Sequence, residues 1–258
     1  MRALIGHTGF VGGNLQPQAE FDAVYHSATI ETLRGQACDL IVCAGAPAVK
    51  WVANADPDAD WANLARLIDV IRSAPCRSLV LISTVDVYAS PIGVDERTVP
   101  DATRTGNAYG YHRRQLELAV QATEADVTIV RLPALFGEGL KKNVIYDLLH
   151  DHQVDRIHPD GAFQYYNLDW LWADIERVRT AGVREVNLAV PPLTVREVAE
   201  TCFGRAFENP LATGGPALYD MKTVHSSLWG RTDGYSHGRD EVLSSLRAFV
   251  QRQREATS

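Results

Sequence analysis

The chain is short of several things, and each shortage excludes a class. Among 258 residues there are four cysteines, Cys38, Cys43, Cys76 and Cys202. None forms a C-x-x-C pair, so a secreted disulfide framework and a thiol metal knuckle are both disfavoured. Thiols in a reducing compartment are the plain reading. No apolar run approaches the ~20 residues needed to span a bilayer, and the first strand begins so early that no signal peptide is expected. Positive charge is also in short supply. With 25 Lys+Arg against 32 Asp+Glu the formal net charge is −7. Such a chain has no general field for nucleic acid or an anionic membrane surface. A cytoplasmic protein that binds neither is expected, and any phosphate must be held by local devices.

What is present is an ordinary globular composition, 46% hydrophobic and 22% charged, with 19 Gly and 12 Pro. At about 150 residues per domain the length allows one to two domains. Short apolar runs alternate with helical patterns. Strands are predicted at Arg2–Ile5, Phe21–His26, Asp39–Ala44, Ser78–Ser83 and Val127–Leu132. Helices are predicted over Trp61–Arg72, where Leu64, Leu67, Ile68 and Ile71 share a face, and over Tyr109–Ala122. The strands are near-continuous apolar runs, as in a parallel sheet covered on both faces. The expected fold class is therefore α/β, a doubly wound (Rossmann) mostly parallel sheet.

After Gly137 the texture changes to glycines, aromatics and polar residues. Residues 1–137 are read as a dinucleotide-binding domain and 138–258 as a smaller substrate-binding lobe, with a strand at Glu185–Val190 placed to return to the main sheet. Thr194 followed by Glu197 forms a capping box for one late helix. Glu241–Gln251 forms another.

The first strand runs directly into Gly6-His7-Thr8-Gly9-Phe10-Val11-Gly12. Glycines at this point permit a tight turn, the approach of a pyrophosphate to backbone, and close packing of helix on strand. The helix N-terminus adds free N–H groups and partial positive charge. A plain structural turn is the competing reading. Acidic residues are absent from the end of the second strand, Val24-Tyr25-His26-Ser27-Ala28. An NAD site usually has one there for the ribose 2′-hydroxyl, so NADP is favoured over NAD. His26 either faces that phosphate or is a surface residue.

Thr8-Gly9-Phe10-Val11-Gly12 resembles the T-G-x-x-G-x-x-G fingerprint of the extended short-chain dehydrogenase/reductase superfamily, the NAD-dependent epimerase/dehydratase branch, with Leu15 in place of the last glycine. Ser83-Thr84-Val85-Asp86-Val87-Tyr88 is similar to its S-[ST]-x-x-V-Y segment. Tyr109, Gly110 and Glu117 match Y-G-x-x-K-x-x-x-E. Glu96 and Pro100 match E-x-x-x-P, and Arg131–Gly137 resembles R-x-x-N-V-Y-G with Ala134 replacing Asn. The resemblance implies that Thr84 and Tyr109 move a proton while a hydride moves, with a fixed cation beside the phenol. It implies a cofactor cradle of Gly6, Thr8, Gly9, Phe10, Val11, Gly12, His26, Ala44 and Gly45, with Tyr109 and Arg113.

The expected Lys is Arg113. Arginine keeps the charge and, at i+4, the helix face, but it cannot relay a proton. Three readings follow: Arg113 is the electrostatic partner and ribose anchor; Lys50 supplies the ammonium; or the redox site is weakened or repurposed. Tyr111 competes with Tyr109 but is followed four residues on by the uncharged Gln115.

Extended members act on nucleotide-activated sugars. Lys141, Lys142 and Asn143 in a glycine-flanked turn suit a diphosphate, or form a solvated surface. Lys50 and Asp86 join the expected substrate-binding set. Phe163–Asn167 either stacks on a base or sugar or belongs to the core. One acid follows Thr84 where the related 4,6-dehydratases carry two, so dehydration lacks its pair. A keto-sugar reductase is favoured, with an epimerase next and a non-catalytic dinucleotide sensor or scaffold third. A homodimer through two helices, one carrying Tyr109, is expected. His150, His152 and His158 define no metal ligand set.

Overall fold

The computed structural model describes residues 1–209 and 214–257. The remainder, 210–213 and 258, falls within the expected second lobe and lies outside the described residues. In chain order the elements are β1 (Arg2–Ile5), α1 (Phe10–Leu15), β2 (Ala23–Tyr25), β3 (Cys38–Cys43), α2 (Lys50–Ala55), α3 (Pro57–Ser73), β4 (Cys76–Thr84), α4 (Ala108–Gln121) and β5 (Asp126–Leu132). They continue as β6 (Ala134–Phe136), α5 (Val144–His150), β7 (Ala162–Phe163), β8 (Tyr165–Asn167), α6 (Leu171–Thr180), β9 (Glu185–Asn187), β10 (Leu193–Thr194), α7 (Val195–Phe203) and α8 (Arg239–Thr257).

Two compact units are present. The first comprises Met1–Ser90, Glu96–Leu132 and Asp169–Asn187; the second comprises Pro91–Asp95, Pro133–Leu168 and Leu188–Ser258. A single cut near 137 is thus simpler than the chain's path, because the segment 169–187 rejoins the first unit.

The first unit holds a six-stranded sheet in the order β2-β1-β3-β4-β5-β9. Every pairing is parallel. Ile41, Val42, Val80, Leu81, Ile129 and Val130 are all fully buried, which is why these strands read as unbroken apolar runs. Helix α3 starts one turn earlier than its apolar spacing suggests. Asp56 caps it by accepting from the Ala59 N–H at 3.0 Å, and Pro57 occupies its first position, where the missing N–H costs nothing. The order reverses between β1 and β3. In an open α/β sheet the crevice beyond the strand ends at such a reversal is where ligands bind.

The second unit contains the parallel pair β6–β8, the antiparallel pair β7–β10, and helices α5, α7 and α8. Thr194 caps α7 through the Glu197 N–H. Strand β9 ends at Asn187 rather than at Val190. The Ala189 carbonyl accepts from the Ser236 N–H and the Val190 carbonyl from Gln164 Nε2, so these buried acceptors are satisfied outside a ladder.

Candidate active site

The glycine turn is shaped by close backbone approach. Gly6 has φ +90°, a conformation costly for any other residue, and a Cβ there would overlap the Ala44 carbonyl. A Cβ on Gly12 would overlap the Gly6 carbonyl. The Ala44 N–H donates to the Ile5 carbonyl at 2.9 Å. A Cβ on Gly45 would come within 2.8 Å of Ile5 Cγ2. Thus the turns after β1 and β3 lie against each other at the sheet's reversal. Thr8 and Gly9 are exposed, Phe10 and Val11 half-buried. Gly9 sits at the N-cap of α1, where no side chain caps the first turn. An exposed turn whose donor N–H groups no side chain caps fits a dinucleotide pyrophosphate.

At the end of β2, His26 Nδ1 accepts from the Ala28 N–H at 3.3 Å. The His7 ring meets it edge-on at 5.5 Å between centroids. No carboxylate stands among residues 23–29.

The second focus is the junction of β4 and α4. Asn107 caps α4: its Oδ1 accepts from the Gly110 N–H at 3.0 Å and its Nδ2 donates to the Asp86 carbonyl at 3.0 Å. A Cβ on Gly110 would overlap that same carbonyl. The glycine after Tyr109 therefore exists to let the helix start press onto the turn after Thr84. Asn54 Oδ1 accepts from the Tyr109 N–H at 2.9 Å.

These contacts bring Tyr109, Thr84, Asp86, Lys50 and Arg113 together. Tyr109 is 8% exposed. Its phenol is held above the ordinary tyrosine range chiefly by burial, against the opposing pull of Arg113, nearby Thr84 and, more weakly, Lys50; Asp86 adds to the rise. The Thr84 hydroxyl lies 3.4 Å from Asp86 Oδ2 and accepts from the Asp86 N–H at 3.2 Å. Lys50 Nζ sits 2.6 Å from Asp86 Oδ1.

Arg113 sits with its Cζ 4.1 Å from the Tyr109 ring centroid, within cation–π range. Nη1 donates to Asp60 Oδ2 at 2.5 Å, and Nη2 donates to the Pro47 carbonyl. Nε is buried without a hydrogen-bond partner. The guanidinium is thus held by Asp60 and the Pro47 carbonyl while its Cζ lies over the tyrosine ring. Asp60, 6% exposed, also takes His112 Nδ1 at 2.8 Å. Sequence reasoning missed Asp60. The available signal was an acid at i−4 from Leu64 and i−7 from Leu67, on the apolar face of α3. Asn63, on the same helix, is exposed.

Other motif residues turn out to be structural. Arg131 is fully buried and donates from Nε and Nη2 to the two oxygens of Glu117, each at 2.9 Å. Arg131 also reaches Glu185 at 2.7 Å and the Tyr88 hydroxyl at 3.0 Å. Ser83 Oγ donates to Glu117 at 2.6 Å, and Glu96 accepts from the Asn187 N–H at 2.8 Å.

Lys141, Lys142 and Asn143 belong to the second unit. Both lysines are exposed by side-chain surface, and partial desolvation at the ammonium lowers the Lys142 pKa. Asn143, at φ 121°, caps α5 through the Ile145 and Tyr146 N–H groups and donates to the Leu135 carbonyl at 2.8 Å. His152 Nδ1 lies 3.0 Å from Asp147, and the His150 ring packs on Tyr146. Among the described residues no group of three or more His, Cys, Asp and Glu side chains could hold a metal, and no helix is long and apolar enough to cross a membrane.

The model of the NAD dependent epimerase/dehydratase family matches residues 17–161, more than half the chain. The chain belongs to that family. The match begins beyond the glycine turn, so the turn adds an independent sign of nucleotide-cofactor binding. As a member of the epimerase/dehydratase family the chain is an NAD(P)-dependent enzyme. No curated protein sequence matches it. Solved structures share its fold at low identity. RMD from Pseudomonas aeruginosa, complexed with NADPH, is 17% identical with a TM-score of 0.74, covering 97% of this chain and 98% of its own. The dTDP-4-dehydrorhamnose reductase of Bacillus anthracis, in complex with NADP, is 17% identical at 0.73, covering 98% and 99%. The UDP-glucose 4-epimerase of Thermotoga maritima, with UDP-glucose, is 14% identical at 0.70, covering 100% of both chains.

Proposed function

We propose that this family member is an NADPH-dependent reductase of a nucleotide-activated keto-sugar, with Tyr109 as the acid that protonates the carbonyl oxygen. The observation that carries the reading is the buried phenol itself. It is 8% exposed with the Arg113 Cζ 4.1 Å from its ring centroid, and burial outweighs the neighbouring cations in setting its proton affinity. A phenol kept protonated is in the state that a reduction uses: as hydride reaches the carbonyl carbon, the oxygen needs a proton. Bound NADPH supplies the hydride. Thr84 holds the carbonyl oxygen within reach of Tyr109, and Arg113 offsets the charge that the phenolate carries after transfer.

The cofactor's pyrophosphate rests on the turn of Gly6, Thr8, Gly9, Phe10, Val11 and Gly12, with Ala44 and Gly45 flanking it. The absence of a carboxylate beside His26 favours the 2′-phosphate of NADP. Lys50 and Asp86 line the sugar side. The exposed Trp61 on α3 and Leu118 on α4 support a homodimer through these two helices. Light scattering giving twice the 28.4 kDa chain mass would support that assembly.

The decisive experiment is Tyr109→Phe assayed with NADPH and a TDP-4-keto-6-deoxyhexose. Turnover should fall by at least about a hundredfold, while NADPH binding by fluorescence titration stays within about twofold and tighter than NADH. Unchanged turnover would remove Tyr109 from the chemistry. Interconversion of UDP-glucose and UDP-galactose without net cofactor oxidation would make the protein an epimerase instead.

A further inference from the structure

Cys38 opens β3 and Cys76 opens β4, and the two stand opposite each other in the parallel register of those strands. Adjacent strands run about 4.7–4.9 Å apart, so the Cα atoms have the separation a disulfide requires, about 4.4–6.8 Å. Register partners also project from the same face of a sheet. Accordingly Cys38 belongs to the apolar cluster of Ala3, Tyr25, Leu33 and Ala74, and Cys76 packs against that same cluster. The backbones are tied together here, with the Cys38 N–H donating to the Pro75 carbonyl at 2.8 Å.

In the reduced chain each thiol rests on a carbonyl of its own segment. Cys38 Sγ lies 3.6 Å from the Gln36 carbonyl oxygen, and Cys76 Sγ 2.7 Å from that of Ser78. A thiol is a weak donor, and rotation about one side-chain torsion in each residue frees the sulfurs. Cys38 is 6% exposed, whereas Cys76 is half-buried. One sulfur is therefore open to a small reagent and the other is sheltered. The remaining cysteines have other neighbours. Cys43 pairs with Ile5 and Leu81, and Cys202 Sγ, in α7, lies 3.9 Å from the Leu243 carbonyl oxygen.

We propose that Cys38 and Cys76 are a thiol pair that a small-molecule disulfide, such as oxidised glutathione, converts reversibly into a disulfide joining the starts of β3 and β4. The Cys76 thiolate attacks a glutathione sulfur, forming a mixed disulfide and releasing one glutathione thiol. The Cys38 thiolate then displaces the second. Two protein S–H bonds and one glutathione S–S bond break; one protein S–S bond and two glutathione S–H bonds form. The protein gives up two electrons and two protons, and glutathione takes them. Burial holds both thiols above the ordinary cysteine range, so the exchange is slow at neutral pH. The bond closes a loop over residues 38–76, the stretch that carries Lys50, Asn54 and Asp60. Closing a loop restricts the unfolded chain, so oxidation stabilises this segment.

The test equilibrates the whole chain anaerobically, at mildly alkaline pH, in glutathione buffers of rising oxidised fraction. Two of the four free thiols should be lost and should return with dithiothreitol. Trypsin should release Ser73–Arg77 joined to Gly35–Lys50, with fragmentation placing the bond on Cys38 rather than Cys43. The oxidised protein should stay folded by circular dichroism and melt at least about 5 °C above the reduced form. Cys76→Ser should abolish both the bond and the gain; if that variant does not fold, the peptide assignment in the wild-type chain decides alone. A bond through Cys43 or Cys202, a mixed disulfide that goes no further, a covalent dimer or no reaction at full oxidation overturns the proposal. So does a link confined to unfolded protein, or an oxidised form that melts no higher than the reduced one.

Discussion

Replacing Glu117 by Gln tests whether the Y-G-x-x-K-x-x-x-E and R-x-x-N segments serve the fold rather than the chemistry. Glu117 and Arg131 are both completely buried. The carboxylate takes two hydrogen bonds from Arg131, one from Ser83 and one from Arg114 at 2.8 Å. Arg131 is held protonated by Glu117, Tyr88 and Glu185 against the opposing effect of burial, which is the largest single influence on it. Neutralising Glu117 leaves the guanidinium with one carboxylate, Glu185, which is 27% exposed. Breaking one partner of a buried pair costs about 3–5 kcal/mol. For a chain of this size that lowers the melting temperature by roughly 6–20 °C. The pair also ties α4 to β4 and β5, through Ser83 beside Thr84, so misalignment of Tyr109 with Thr84 should lower turnover at unchanged cofactor affinity. Calorimetry and urea unfolding of Glu117→Gln supply the stability number. A loss below about 1 kcal/mol would place the pair among those that contribute little and refute the assignment. The double change Glu117→Leu with Arg131→Met should cost less than Glu117→Gln alone, because no uncompensated charge remains.

Two further outcomes follow from the same coordinates. Gly110→Ala puts a methyl onto the Asp86 carbonyl; separating α4 from the turn after Thr84 should abolish measurable reduction, and near-wild-type turnover would contradict the close approach. Tyr165 is 1% exposed and its hydroxyl has no protein partner, so Tyr165→Phe should stabilise the protein by about 1–3 kcal/mol at neutral pH. Burial raises its folded-state pKa well above the ordinary tyrosine value of about 10. Below that value the phenol is neutral folded or unfolded. As pH rises through 10 the unfolded chain ionises first, and stability falls until the folded-state pKa is reached. Tyr165→Phe should flatten that alkaline loss, and an unchanged slope in pH-dependent urea midpoints would refute the attribution.

Much of the parallel sheet was legible because strands buried on both faces must be apolar throughout, and Leu79–Ile82 or Ile129–Leu132 admits few other readings. The glycine turn was legible because Gly6 and Gly12 meet backbone, which no other side chain tolerates. Less of the site could be read. Glu117, Arg131, Tyr88 and Glu96 carried the family pattern as strongly as Tyr109 did. A linear pattern marks positions under constraint without saying whether packing or chemistry constrains them. Asp60 escaped because it contacts Arg113 and His112 across more than fifty residues of chain, and neither partner signals the other locally.

The arginine at 113 becomes intelligible once Asp60 and Pro47 are seen behind it. A lysine at this position would present a compact ammonium that turns freely and can exchange its proton. The guanidinium instead sits over the Tyr109 ring, where its charge reaches the phenol through the ring face while Nη1 and Nη2 are taken up by Asp60 and the Pro47 carbonyl. That arrangement keeps the electrostatic part of the usual lysine role and gives up the mobile, proton-exchanging part. Arg113→Lys should accordingly keep a charge beside Tyr109 but leave Asp60 or the Pro47 carbonyl without its donor, costing about 1–3 kcal/mol of stability. Urea unfolding that shows no loss for Arg113→Lys would refute the clamp.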